Sequence, residues 1–168
     1  MKKLLLLFSF NLVLYLVAES QPISVEVNGN ATFNNLQFNV SEAGEDFAAN
    51  IVSESNLEVS VVYTSFWDKK DNPNGKWRMN VHKTDINWNP DISLQIKRTG
   101  NGLKFESTGN PNIHDGESYQ PVSDIPVYFF RGKDQIVNIP VEIQLSGISL
   151  TMGAQNFETN ILLTVYDD

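Results

Sequence analysis

The sequence predicts an all-β, antiparallel fold, and three observations carry that expectation. Segment after segment alternates apolar and polar side chains with the two-residue period of a half-buried strand. Between these segments lie clusters of Asn, Asp, Gly and Pro, the residues that turns require. No segment sustains a helical period. Of the 168 residues, the first twenty stand apart from this pattern, so the expected organisation is a leader over 1–20 and one domain over 21–168.

The leader has the three parts of a cleavable secretory signal. Lys2 and Lys3 form the charged start and Leu4 to Val17 the apolar core. Ala18-Glu19-Ser20 offers small residues at the two positions a signal peptidase reads. A membrane anchor is the competing reading, but the apolar run is shorter than the roughly 20 apolar residues a spanning helix needs. Cleavage after Ser20 takes 20 of the 168 residues and leaves 148, enough for a single self-sufficient core. The leader also takes Lys2, Lys3 and Glu19 from the 12 basic and 20 acidic side chains, leaving 10 and 19 and a net charge of −9. No basic stripe remains to neutralise phosphates, which argues against nucleic acid as a partner.

Ile23-Ser-Val-Glu-Val27 opens the domain as an alternating strand and ends at the turn Asn28-Gly-Asn30. Leu36, Phe38 and Val40 repeat the pattern, and Phe47 to Val52 reads as a short irregular strand. Leu57, Val59, Val61 and Tyr63 form the next apolar face. After the polar turn Asp68–Gly75, the segment Lys76–Lys83 alternates Trp77, Met79 and Val81 with Arg78, Asn80 and His82, and reads as a central strand. Trp77 and Trp88 are expected in the core, Trp88 from a loop spanning Asp85–Pro90. Ile92, Leu94 and Ile96 follow. Residues from Gly109 to Pro126 show no clear period and read as a long surface loop.

Val127–Arg131 is a short aromatic strand. Val137 to Leu145 alternates over nine residues, and Pro140, unable to donate to a ladder, points to an edge strand or a bulge. Phe157, Thr159, Ile161, Leu163 and Val165 close the chain. About eight such strands suit two packed antiparallel sheets, an immunoglobulin-like β-sandwich, better than a closed barrel.

Chemistry-bearing motifs are sparse. With no cysteine, thiolate metal sites and a cysteine nucleophile are excluded. His82 and His114 are the only imidazoles and fit no paired metal motif. His82 sits on a polar strand face and is expected to be solvated. His114-Asp-Gly-Glu117 places an imidazole and two carboxylates in one loop, able to serve acid–base chemistry or a cation, or simply to form a polar turn. Asp68–Gly75 has calcium-like residue types without the acidic spacing, and two lysines within it would repel the ion. No phosphate-cradling loop or serine elbow occurs. The expectation is therefore no enzyme, no cofactor and no metal. Asn30-Ala-Thr32 and Asn39-Val-Ser41 match the glycosylation pattern and read as chance matches.

The aromatic residues carry the ligand expectation. Phe66-Trp67 and Tyr128-Phe-Phe130 are adjacent sets, so in strand geometry at least one ring of each set points outward. Tyr63, Trp67 and Tyr128 are the candidate ligand-binding residues, stacking on sugar faces or packing on a partner. The competing reading tucks these rings under the sheet edges. Arg78, Asn80 and His82, on the outward face of the Trp77 strand, form no recognisable constellation.

At its two ends the chain resembles exported bacterial β-sandwich subunits of the fimbrial or surface-adhesin type. The carrying residues are Ile23-Ser-Val-Glu-Val27 and the close Gly153-Ala-Gln-Asn-Phe-Glu-Thr-Asn-Ile-Leu-Leu-Thr-Val165, a last strand after a Gly-x-x-x-aromatic turn. Many classical pilins contain a disulfide that this chain lacks. The resemblance implies a secreted, periplasmic or surface protein that self-assembles or adheres to another surface protein. It implies strand exchange through open sheet edges, with Ile23, Val25 and Val27 as donor side chains. Pairing of that segment within its own sheet is the alternative. A carbohydrate-binding module acting on polysaccharide through exposed aromatics is the other functional expectation.

Overall fold

A computed structural model describes residues 23–33, 50–63, 75–105, 110–153 and 155–168. The expected leader, the Leu36–Val40 alternation, Phe66-Trp67 and the Asp68–Asn74 part of the turn lie outside them.

The described residues form antiparallel sheets throughout, with a single 3-10 turn at Leu150–Met152 as the only helical element. Seven strands have six or more residues: β1 (Ile23–Asn28), β5 (Glu58–Tyr63), β6 (Lys76–Asn87), β7 (Ser93–Arg98), β11 (Val127–Lys133), β12 (Ile136–Ser146) and β13 (Glu158–Asp167). Six further strands have two or three residues: β2 (Ala31–Thr32), β3 (Asn50–Val52), β4 (Glu54–Ser55), β8 (Leu103–Lys104), β9 (Asn112–His114) and β10 (Gln120–Pro121). The larger sheet runs β1-β5-β12-β7-β10, with β3 and β8 also pairing to β12. The smaller runs β13-β6-β11-β9, and β2 pairs with β4.

Both sheets send apolar side chains into one core. The larger contributes Val59, Val61, Ile96, Ile139 and Val141; the smaller contributes Trp77, Met79, Val81, Phe130 and Val165. The two-residue period explains this directly, because alternate positions of a strand share a face. Trp77 is 1% exposed. Its indole donates from Nε1 to the Asp134 carbonyl at 2.7 Å, and its ring meets Phe130 edge-on at 6.0 Å. Gly132 lies opposite, where a Cβ would stand 2.3 Å from the Trp77 ring, so the pair leaves no room for a side chain. β6 is thus the inner strand expected, flanked by β13 and β11. Trp88 is half-buried at the core margin, its Nε1 donating to the Ile92 carbonyl at 2.9 Å.

Three expectations need correction, and of the two readings of Pro140, edge strand or bulge, the bulge holds. Asp85–Asn87 is strand rather than loop, because β13 pairs with β6 as far as Glu158 opposite Asn87. Gly109–Pro126 is not merely a surface loop. Its described part holds β9 against β11 and β10 against β7, and buries Ile113 and Val122. The missing period reflects strands too short to display one. Pro140 does not mark an edge: β12 pairs on both sides, to β5 and β3 on one and to β7 and β8 on the other. It follows a bulge between Ile136 and Ile139, where Asn138 takes φ 55° and donates its N–H to the Ser60 hydroxyl at 3.1 Å. The third correction is His82. It is half-buried rather than solvated, and its Nδ1 is enclosed without a hydrogen-bond partner.

Candidate functional site: the outer face of the smaller sheet

The site begins with a bulge. Between Tyr128, opposite Asn80, and Phe130, opposite Met79, β11 carries one extra residue. A bulge re-aims side chains that strict alternation would send to opposite faces. Phe129 and Phe130 therefore both turn inward, 1% and 0% exposed, with ring centroids 4.6 Å apart. Tyr128 is left on the outside, 42% exposed.

Register then assembles its neighbours. Tyr166 of β13, Arg78 of β6, Arg131 of β11 and His114 of β9 lie in one row across the four strands. Asn80 and Tyr128 lie in the next. Arg78, Asn80, Asp115, Tyr128, Arg131 and Asp168 line an open concavity of about 610 Å³. Arg78 and Arg131 stand directly opposite each other, a pairing of like charges that destabilises a sheet. Each is compensated locally. Arg131 Nε lies 3.5 Å from Asp115 Oδ2, and Arg78 Nη1 lies 3.9 Å from Asp168 Oδ1. The Arg78 guanidinium also sits 5.4 Å from the Tyr166 ring centre.

Asp115 is positioned by a built turn. Asp115 and Gly116 both take positive φ, 67° and 75°, which an Asp-Gly pair adopts at little cost. The turn is clamped from behind by Arg98, which is 3% exposed. Its guanidinium donates to the carbonyls of Asp115 and Gly100, to Asn101 Oδ1 at 2.6 Å and to Glu117 Oε1 at 2.8 Å. Held there, Asp115 Oδ2 accepts a hydrogen bond from the Tyr128 hydroxyl at 2.5 Å. Enclosure of that hydroxyl, then the hydrogen bond to Asp115 and its charge, push the Tyr128 pKa up to about 12. The phenol is therefore a neutral donor at any physiological pH.

Tyr63, Ile23, Val25 and Val27 lie in the larger sheet, away from this face. Tyr63 stands on β5 in the larger sheet, half-buried against the core. Its hydroxyl is enclosed and unpartnered, and burial, then Asp134 and Asp167, raise its pKa. Trp67 lies outside the described residues. Ile23 is buried and Val25 packs on the core, while Val27 is 51% exposed. All three lie on β1, paired within the chain to Tyr63, Val61 and Val59 of β5. His114, Asp115 and Glu117 do not converge: Glu117 turns to Arg98, Asp115 to Tyr128 and Arg131. Among the described residues no cluster of three His, Asp or Glu side chains could hold a metal ion. No helix among them is long and apolar enough to cross a membrane.

Arg131 and Asp168 are the lining residues that sequence reasoning missed, and it named Arg78 and Asp115 without bringing them together. Only the two-residue period placed Arg78 outward; nothing local paired it with Arg131, 53 positions away in the chain.

A second polar cluster lies on the larger sheet. Lys97 and Glu142 are cross-strand partners 2.8 Å apart, Tyr119 donates to the same Glu142 oxygen, and Lys97 covers the Tyr119 ring at 4.3 Å. Desolvation opposes ionisation of Glu142. The hydrogen bonds from Lys97 and Tyr119 outweigh it and hold the carboxyl below its usual range.

Comparison with protein-family models, curated proteins and solved structures found no match to this chain. The class defined by its own residues is an all-β protein of antiparallel sheets with an aromatic, polar face on the smaller one.

Proposed function

We propose that the chain is an exported, non-enzymatic surface or extracellular protein that works by adhesion. In this reading its fold is an immunoglobulin-like sandwich preceded by a signal peptide at 1–20, and its ligand is a carbohydrate. The observation that carries the proposal is the Tyr128 ring, 42% exposed within a concavity of about 610 Å³ rimmed by Arg78, Asn80, Asp115, Arg131 and Asp168. An exposed aromatic ring offers an apolar face to the C–H side of a sugar, while planar polar groups around it meet the hydroxyls. The exported reading is supported by the charged start, apolar core and small residues of 1–20.

Affinity electrophoresis through gels containing a panel of polysaccharides tests this. The protein is expected to be retarded by at least one, and Tyr128→Ala to run freely. Unretarded migration in every gel sinks the reading.

A second reading, a pilin-like subunit assembling by strand exchange, is favoured by β1. Its six residues pair with β5 alone among the described residues, and Ile23 and Val25 fill core positions on one side of it. A donated strand from a neighbouring copy would make the same ladder and fill the same pockets. Native size measurement separates the two: concentration-dependent oligomers lost on deleting residues 21–28 support exchange, and a monomer at every concentration excludes it.

A further inference from the structure

The charge arithmetic of the outer face goes beyond a general affinity for sugars. Among the side chains lining the concavity, two guanidiniums, Arg78 and Arg131, are matched by two carboxylates, Asp168 and Asp115; Lys76 and Lys133 stand opposite each other further along the same face. The face belongs to a chain of net charge −8, whose long-range field repels anions. The Tyr128 hydroxyl adds no charge and donates to Asp115. Each arginine retains donors beyond its contact with an aspartate, since both contacts, at 3.5 and 3.9 Å, bring a single guanidinium nitrogen to a single oxygen. Arg78 and Arg131 are half exposed or more, at 50% and 58%. Like charges opposite one another violate a rule of sheet pairing, and such local violations concentrate where a surface has a task.

We infer that this face binds a neutral saccharide with vicinal hydroxyls, each Arg–Asp pair presenting donor and acceptor together to one diol while Tyr128 takes the apolar face of the ring. A hydroxyl both donates and accepts, so a mixed pair satisfies both functions, where a lone cation would leave the O–H without an acceptor. An acidic sugar would meet Asp115 and Asp168 as well as the arginines, and the aspartates would repel it. This inference rests on the carbohydrate reading above and specifies its ligand class and contact residues.

The test uses the full chain, as exported, in affinity gels containing neutral glucan, mannan, galactan or xylan, and others containing polygalacturonate or alginate. Retardation by at least one neutral polymer is expected, unchanged in molar sodium chloride and weakened about tenfold by Tyr128→Ala or Arg131→Ala. Arg131→Lys keeps the charge and loses the fork, so it is expected to resemble Arg131→Ala. Full binding by Arg131→Lys would overturn the diol geometry. Retardation by acidic polymers alone, abolished by salt, overturns the neutral class and leaves carbohydrate binding standing. Retardation by a neutral polymer untouched by all three substitutions removes the site from this face. Free migration in every gel overturns both proposals together. Cooperative thermal melts confirm that the variants are folded, as expected for substitutions at exposed side chains.

Discussion

Trp77 shows how much one residue can hold in place. Its ring is packed between Phe130 and the bare backbone of Gly132, and its Nε1 satisfies the Asp134 carbonyl. Trp77→Ala removes this packing and leaves the carbonyl without its donor, so the expected loss is about 3–5 kcal/mol. Denaturant unfolding of the two proteins measures it, and a difference under about 1 kcal/mol would contradict the buried packing.

Tyr128 is the counterpart on the outside. Its pKa is raised above the ordinary tyrosine value of 10.0 to about 12, so the folded state favours the protonated phenol. The associated stability is fully present below pH 10 and is lost as the pH rises through about 12. Ultraviolet titration of tyrosinate should show a late-ionising group that Tyr128→Phe removes; an unchanged profile would mean that Asp115 does not hold the hydroxyl.

At the scale of elements, bulges and short strands decide what faces where. The bulge in β11 turns Phe129 and Phe130 into the core and leaves Tyr128 outside, an outcome that alternation alone would assign differently. The bulge in β12 lets a strand containing Pro140 run through the interior of a sheet. The loop between β9 and β10 is fastened by Arg98, which donates to the Asp115 carbonyl and to Glu117. Arg98→Met keeps the length and removes every donor, leaving the Asp115 and Gly100 carbonyls without this partner. The expected cost is on the order of 3 kcal/mol. The same substitution frees Asp115 and should bring the Tyr128 titration back toward its ordinary range. A melt showing lost stability with Tyr128 unmoved would separate the clamp from the turn it is held to position.

Across the whole molecule, acid stability follows from carboxylates held below their usual range. Glu142, hydrogen-bonded by Lys97 and Tyr119, and Asp85, hydrogen-bonded chiefly by Lys83, are both lowered. Each contributes stability that is present above its unfolded value, 4.5 or 3.8, and is lost as the pH falls through the lower folded value. Melting temperature measured against pH should therefore fall on the acid side of about pH 4.5. Glu142→Gln should flatten that limb, because it removes the titrating partner. An acid limb of equal slope in the variant would place the loss elsewhere.

The sequence by itself determined the all-β class, the inward faces of the long strands and the burial of Trp77, because the two-residue period is local and is imposed by backbone geometry. It also named Tyr128 as a candidate ligand-binding residue, without saying which of three adjacent rings would turn outward. Tertiary structure decided the rest. Whether a residue beside another in the chain becomes its neighbour in space depends on register, and a single extra residue in β11 changes it. Arg78, Asp115, Tyr128, Arg131 and Asp168 come from β6, β11 and the segments that follow β9 and β13. Only the hydrogen-bonded alignment of those strands brings them to one face, and no spacing along the chain records that alignment.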